Sequence, residues 1–225
     1  MSLLDEHKAE RRARILAAAR ELIATRGFDG LTMRHLARAS RVSVPTLYNL
    51  FGGKHALLLG ELEETFAKVT GALARVSGKR FVERAFAAIE AGNAELLAAP
   101  RYSRELIHVF LTSAETRPLR RGIEERYVAL MAGVLREAQA TRAFAAWADP
   151  VAVSRRMFSH YTHAMIEWAQ GDLDDEAFRT ATSLGGCLMM LGLARGAAAR
   201  ALARRARQLQ PKRRTPERAR VRKGG

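Results

Sequence analysis

Three neighbouring side chains near residue 48 carry groups suited to hydrogen bonding rather than to packing. Thr46, Tyr48 and Asn49 offer a hydroxyl, a phenol and an amide on one short predicted helix, and Lys54 follows shortly after it. A helix of this width enters the major groove of DNA, where such groups bind base edges and phosphates. The alternative is a plain helical hairpin that has only a structural role.

Two predicted helices and a tight turn position these groups. Thr32 and Ser43 are good N-cap residues, and Pro45 is tolerated in a first helical turn because the amides there have no intrahelical acceptor to lose. Residues 39–42 leave room only for a short turn between the two helices. The helices must therefore cross steeply, and the spacing predicts a helix-turn-helix.

The identities of the residues favour the DNA-binding interpretation of this helix-turn-helix over a purely structural hairpin. The runs Gly30-Leu31-Thr32, Pro45-Thr46-Leu47-Tyr48 and Lys54-His55-Ala56-Leu57-Leu58 resemble the DNA-binding domain of the tetracycline-repressor-like (TetR) family of bacterial regulators. The spacing matches without a gap from about residue 10 to residue 58. The resemblance implies a dimeric transcriptional regulator, usually a repressor in this family, whose body binds a small-molecule effector and whose partner is operator double-stranded DNA.

The resemblance also implies which residues contact DNA. It places Val44, Pro45 and Thr46 at the bases, Tyr48 and Lys54 at phosphates, Thr32 at the backbone and Arg34 within reach of the groove. Together with the exposed amide noted above, the predicted DNA-binding residues are Thr32, Arg34, Val44, Pro45, Thr46, Tyr48, Asn49 and Lys54.

Arg41 departs from the family pattern, which usually has glycine in the turn. If Arg41 adopts a left-handed conformation, the strain is on the order of 1 kcal/mol. Its side chain can instead add a phosphate contact, and the sequence leaves both interpretations open.

The charge of the chain is unevenly distributed. The formal net charge of +15 over 225 residues divides into +5 for residues 1–54, +1 for residues 55–203 and +9 for residues 204–225. A basic head fits a phosphate-binding surface, and a nearly neutral body fits a folded regulatory domain. The basic tail either keeps the protein soluble or adds a nonspecific, salt-sensitive attraction to DNA.

Composition and periodicity predict an all-α fold. Alanine, leucine and arginine dominate, and no alternating strand pattern appears. About nine helices are predicted: a three-helix DNA-binding domain in residues 1–54, a helical effector-binding and dimerisation domain in residues 55–203, and a disordered tail in residues 204–225. The fourth helix begins at Lys54 and is expected to link the two domains.

The body of the chain carries two further predicted sites. An effector pocket is expected among helices 5 to 8, with candidate walls His108, Phe110, Tyr127, Met131, Phe158, Thr162, Met165 and Trp168. Taken singly, each of these residues fits the core better than it fits a ligand contact. A dimer interface is expected from helix 8, about 150–170, and helix 9, about 172–205, through Leu184, Leu188, Leu191, Gly192 and Gly196. Glycine inside a helix costs about 1 kcal/mol, which close approach of another helix would offset.

Other chemistry finds little support in the sequence. His160, His163 and Glu167 share one face of helix 8 and suit a metal ion geometrically, but a polar cavity lining or the dimer seam explains them better. No nucleophile-base pair or phosphate-binding loop is recognisable, so no metal, cofactor, catalytic residue or enzyme activity is predicted. One cysteine, Cys187, and the charged start of the chain favour the cytoplasm. The apolar stretch of helix 9 is shorter than ~20 residues and is interrupted by Arg195, so no membrane span is expected. The competing hypothesis is an all-helical enzyme or partner-binding module in which residues 30–54 are only structural.

Overall fold

A computed structural model describes residues 3–75 and 80–210 of the chain. The described residues are 84% helical, which confirms the all-α prediction. The ten helices of the described residues are α1 (Leu3–Gly30), α2 (Met33–Ser40), α3 (Val44–Phe51), α4 (Lys54–Arg75), α5 (Phe81–Leu97), α6 (Pro100–Thr112), α7 (Arg117–Ala140), α8 (Pro150–Gln170), α9 (Asp175–Leu191) and α10 (Gly196–Leu209).

The tenth helix arises because the predicted helix 9 is broken. The chain leaves the helix after Leu191 and restarts at Gly196, whose φ of 54° is left-handed. The backbone between them pairs with the loop before α8: Ala145 N donates to Leu193 O at 2.8 Å, and Arg195 N donates to Ala143 O at 2.9 Å. These long-range bonds compete with the helical ones, and hydrophobic periodicity does not reveal them.

The end of the chain also differs from the prediction. Residues 204–209, expected to begin the disordered tail, form the last turns of α10. Leu202 and Ala206 are buried, so this basic segment has an apolar face packed on the body. Residues 211–225 of the predicted tail lie outside the described residues.

The three N-terminal helices share a core with α4 and α6. Ile15, Leu36, Leu47 and Leu58 are fully buried in it, and Leu106 of α6 completes it. The head is therefore packed against the body at two helices, the first turns of α4 and one face of α6. Within the described residues, no helix is both long enough and apolar enough to span a bilayer.

The body is a layered helical bundle. Helix α8 packs against α6, α7 and α9, while α5 lies between α4, α7 and α9. Its core includes Phe86, Met131 and Met190, and a second cluster centres on Trp168, which is stacked on Phe178 with ring centroids 5.1 Å apart.

Candidate functional site

Two side-chain caps fix the helix-turn-helix. Thr32 Oγ1 accepts from His35 N at 3.1 Å, and Ser43 Oγ accepts from Thr46 N at 3.2 Å. Each cap satisfies a backbone donor that has no partner within its helix. Both N-caps and the position of Pro45 in the first turn of α3 are as predicted.

The turn between the helices places Arg41 in the left-handed region, with φ 54° and ψ 47°. Arg41 therefore adopts the left-handed conformation that glycine would favour, and its side chain is exposed. Val42 N donates to Ala37 O at 3.0 Å, so the turn closes with regular hydrogen bonding despite the strained residue.

The predicted DNA-binding residues lie at the surface. Tyr48 is 51% exposed, Leu47 beside it is fully buried, and the alternation shows that α3 packs by its apolar face alone. All eight are exposed or half-buried: Thr32, Arg34, Val44, Pro45, Thr46, Tyr48, Asn49 and Lys54. The Thr46 hydroxyl is hydrogen-bonded to Ser43 Oγ at 2.7 Å, and this bond holds it in place at the start of the helix.

The electrostatics of this surface favour an anion. No acidic residue occurs between Asp29 and Glu61, whereas Arg34, Arg38 and Arg41 are all exposed. A basic surface without interspersed carboxylates is the footprint of phosphate binding.

Lys54 sits at the first position of α4, beside the head. Its Nζ lies 4.0 Å from the centre of the Phe28 ring, and partial burial lowers the pKa of Lys54 while the nearby Asp29 carboxylate acts in the opposite direction. The ring contact holds the ammonium group beside Phe28 at the end of α1.

A buried carboxylate joins the head to the body. Glu61 on α4 is only 3% exposed, and its two oxygens accept from Arg20 of α1, at 2.6 Å from Nε and 3.0 Å from Nη2. Tyr102 of α6 donates its hydroxyl to the same carboxylate at 3.1 Å. The ion pair raises the pKa of Arg20, and burial followed by the Glu61 charge raises that of Tyr102. One side chain therefore ties three helices together, and no sequence motif pointed to it.

One residue further along α4, the body contains a cavity of about 140 Å³. Leu62 and Thr65 of α4 form part of its wall, together with residues of α5, α6, α7 and α8. The cavity thus touches the same helix that Glu61 anchors to the head. Five of the predicted pocket residues line it: Phe110, Tyr127, Phe158, Thr162 and Met165.

Three predicted pocket residues lie elsewhere. His108 is exposed and lines a cleft between α6 and the head, because Ile107 and Phe110 take the cavity side of the same helix. Met131 and Trp168 are fully buried in the core, where Trp168 Nε1 donates to Asp175 Oδ1 at 2.8 Å. Sequence reasoning missed Tyr161 and Gly92, which the structure brings together at the cavity wall.

The residues predicted for the dimer interface lie at and beyond the end of α9. Leu188 is 53% exposed, and Leu184 and Leu191 are half-buried on the same helix. Gly192 and Gly196 flank the break between α9 and α10 instead of lying within one helix, and both are exposed.

The polar trio of α8 is divided between two environments. His160 Nε2 lies 3.1 Å from the carbonyl of Ala181 on α9, while exposed His163 lies 3.7 Å from Glu167. Among the described residues, no three His, Cys, Asp or Glu side chains converge in a way that could hold a metal ion. Cys187 is buried, and burial raises the pKa of its thiol.

A capped two-helix unit with a basic, polar outer face defines the class of the protein: a helix-turn-helix DNA-binding protein. Residues 15–60 match the family described as bacterial regulatory proteins, tetR family. Residues 15–60 therefore form a DNA-binding domain of the tetR type, and the predicted resemblance is confirmed.

Solved structures show the same fold over the described body as well. One is a TetR-family transcriptional regulator from Marinobacter aquaeolei, with a TM-score of 0.69 and 16% identity over 89% of this chain and 98% of that one. SmeT, the repressor of a Stenotrophomonas maltophilia multidrug efflux pump, gives a TM-score of 0.69 at 18% identity, covering 83% and 92%. The fatty acid degradation regulator FadR from Bacillus halodurans gives 0.67 at 19% identity, covering 82% and 97%. No curated protein sequence gives a significant match.

Proposed function

We propose that the protein is a dimeric transcriptional repressor of the cytoplasm that binds operator DNA through α3 and is released by a small-molecule effector. The observation that carries the proposal is the outer face of α2 and α3, where Tyr48 is exposed on a capped helix and no carboxylate interrupts the basic surface. SmeT, which has a similar fold, is described as a repressor.

The dimer supplies the geometry for binding two half-sites. Two recognition helices must stand about 34 to 36 Å apart to enter successive major grooves. Leu188, together with half-buried Leu184 and Leu191, gives α9 an apolar outer strip suited to pairing with the same strip of a second copy. We expect Leu188→Glu to convert the dimer to a monomer in analytical ultracentrifugation, with a matching loss of operator affinity.

Effector release follows from the position of α4. An effector in the cavity contacts Leu62 and Thr65, and Glu61 beside them is bonded to α1 and α6. A ligand that displaces α4 therefore moves the head. Its effect on DNA affinity equals its differential affinity for the two head spacings.

The test is operator binding, measured by fluorescence anisotropy with DNA from the protein's own promoter region. Tyr48→Phe and Lys54→Ala should weaken binding to all DNA sequences alike, and affinity should fall steeply with salt. Thr46→Ala should weaken one sequence preferentially. Tyr127→Phe and Lys68→Ala are matched controls in the body and should leave the affinity unchanged. If the three head variants also left it unchanged, α3 would not be the DNA-binding helix.

A further inference from the structure

Within the described residues, none of the side chains that line the cavity walled by α4 to α8 is charged. Its polar groups are the hydroxyls of Thr65, Tyr127, Tyr161 and Thr162, and hydrocarbon surface supplies the rest. An anion or cation entering it would lose its hydration without gaining a counter-charge. The lining therefore selects a neutral ligand.

One of these hydroxyls is poised to donate. Tyr161 Oη is buried and has no hydrogen-bond partner in the part of the chain that the structure describes. A buried hydroxyl without a partner is costly, so such groups are normally satisfied. Burial, and then the neighbouring Tyr127, raises the pKa of Tyr161, so the phenol keeps its proton at physiological pH and acts as a donor.

Gly92 makes room for this hydroxyl at the wall. A Cβ atom at position 92 would lie 2.6 Å from Tyr161 Oη, closer than real Cβ contacts allow. Since Gly92 also lines the cavity, the glycine on α5 makes room for the hydroxyl of α8 beside the space a ligand would fill.

The volume limits the size of the ligand. An apolar protein cavity of about 150 Å³ holds one benzene molecule, and this cavity measures about 140 Å³. The space therefore suits a single substituted ring or a short chain of similar bulk.

We propose that the cavity binds a neutral molecule of about one substituted aromatic ring whose single acceptor oxygen, such as a carbonyl, accepts a hydrogen bond from Tyr161. The inference rests on the proposed function in one respect, namely that this molecule is the effector. The binding itself requires no DNA.

The experiment uses three probes of nearly the same shape with the full-length protein in isothermal titration calorimetry. Acetophenone carries the acceptor, α-methylstyrene replaces the carbonyl by an apolar CH₂ group, and benzoate carries a charge. We expect acetophenone to bind about two- to tenfold more tightly than α-methylstyrene, the range for one net hydrogen bond, and benzoate to show no binding.

Two variants test whether the preference for acetophenone over α-methylstyrene comes from the Tyr161 hydroxyl. Tyr161→Phe should abolish the preference for acetophenone while retaining α-methylstyrene binding, which also shows that the variant is folded. Tyr127→Phe removes a hydroxyl from the same wall and should retain the preference. The proposal is overturned if neither neutral probe binds, if benzoate binds best, or if Tyr161→Phe leaves the preference intact.

Failure of this proposal can be told apart from failure of the proposed function. Calorimetry without DNA tests the ligand chemistry alone, whereas operator binding without ligand tests the DNA-binding role alone. A protein that binds its operator but none of the probes retains the proposed function and loses the ligand assignment.

Discussion

The head and the body present the same chemical group in opposite ways. In the head, Tyr48 is 51% exposed on a two-turn helix. The other predicted DNA-binding residues all lie close to it in the sequence, within residues 32–54. In the body, the Tyr161 hydroxyl is buried, and the surrounding wall comes from five helices. A phenol displayed on a short capped helix is available to a large partner such as a DNA duplex. One enclosed by five helices is available only to a molecule small enough to enter.

The two regions meet at Glu61, and removing its carboxylate should produce the largest effect. Glu61→Ala leaves Tyr102 and Arg20 without their shared acceptor. We expect a loss of about 2 to 3 kcal/mol in the free energy of unfolding, less than for a fully buried pair because the Arg20 side chain is 44% exposed. Urea denaturation followed by circular dichroism measures it.

The matched control for this prediction is Glu63→Ala, on the same helix but exposed. Its expected change is within about 0.5 kcal/mol. Equal losses in the two variants would mean that Glu61 does not hold the head on the body, and the route from cavity to head would need another contact.

A smaller effect is expected where α8 crosses α9. A Cβ at Gly185 would lie 1.9 Å from His160 Nε2, and the ring cannot swing away without leaving the Ala181 carbonyl. Gly185→Ala should therefore destabilise the fold by about 1 to 3 kcal/mol, as overpacking does. The midpoint of thermal unfolding provides the measurement.

Gly192 supplies the contrast, because an added Cβ there meets no described atom within 4 Å and its φ of −69° suits any residue. Gly192→Ala should stabilise the subunit by about 1 kcal/mol or less, because alanine has less conformational freedom to lose on folding. If a second copy packs against this glycine, the same substitution weakens dimerisation alone, which sedimentation equilibrium would detect. A destabilised subunit would instead show that the residue is packed within its own chain.

How much the sequence predicts differs between the two regions for a physical reason. The N-caps Thr32 and Ser43 and the turn at Arg41 depend on local signals, so the helix-turn-helix could be predicted from the sequence. The cavity depends on how five helices are rotated against one another. Periodicity could not tell that His108 faces outward while Phe110 faces the cavity.

The prediction of one continuous ninth helix is wrong because the break depends on contacts between residues distant in the sequence. Its apolar pattern continues past Leu191, and the break depends on hydrogen bonds from Ala145 and Arg195 to partners about 50 residues away in the chain. The sequence predicts close helix approach at Gly192 and Gly196, whereas Gly196 supplies a left-handed φ where the helix restarts. Such long-range bonds leave no periodic signal in the sequence.

The smallest effect is expected at two arginines with the same left-handed backbone conformation, one in the head and one in the body. Replacing each of them separates the effect of backbone strain from the effect of DNA binding. Arg41 of the head has φ 54° and Arg142 of the body has φ 58°, and each is exposed just after a helix. Replacing either by glycine should stabilise the fold by about 1 kcal/mol or less, because glycine adopts this conformation without strain. Only Arg41→Gly should also lower operator affinity and reduce the salt dependence by about one ion, since only that side chain lies beside α3. Anisotropy titrations at several salt concentrations measure both quantities, with Arg142→Gly as the reference. Unchanged DNA affinity in Arg41→Gly would mean that the head carries this strained arginine without using its charge, as the body does.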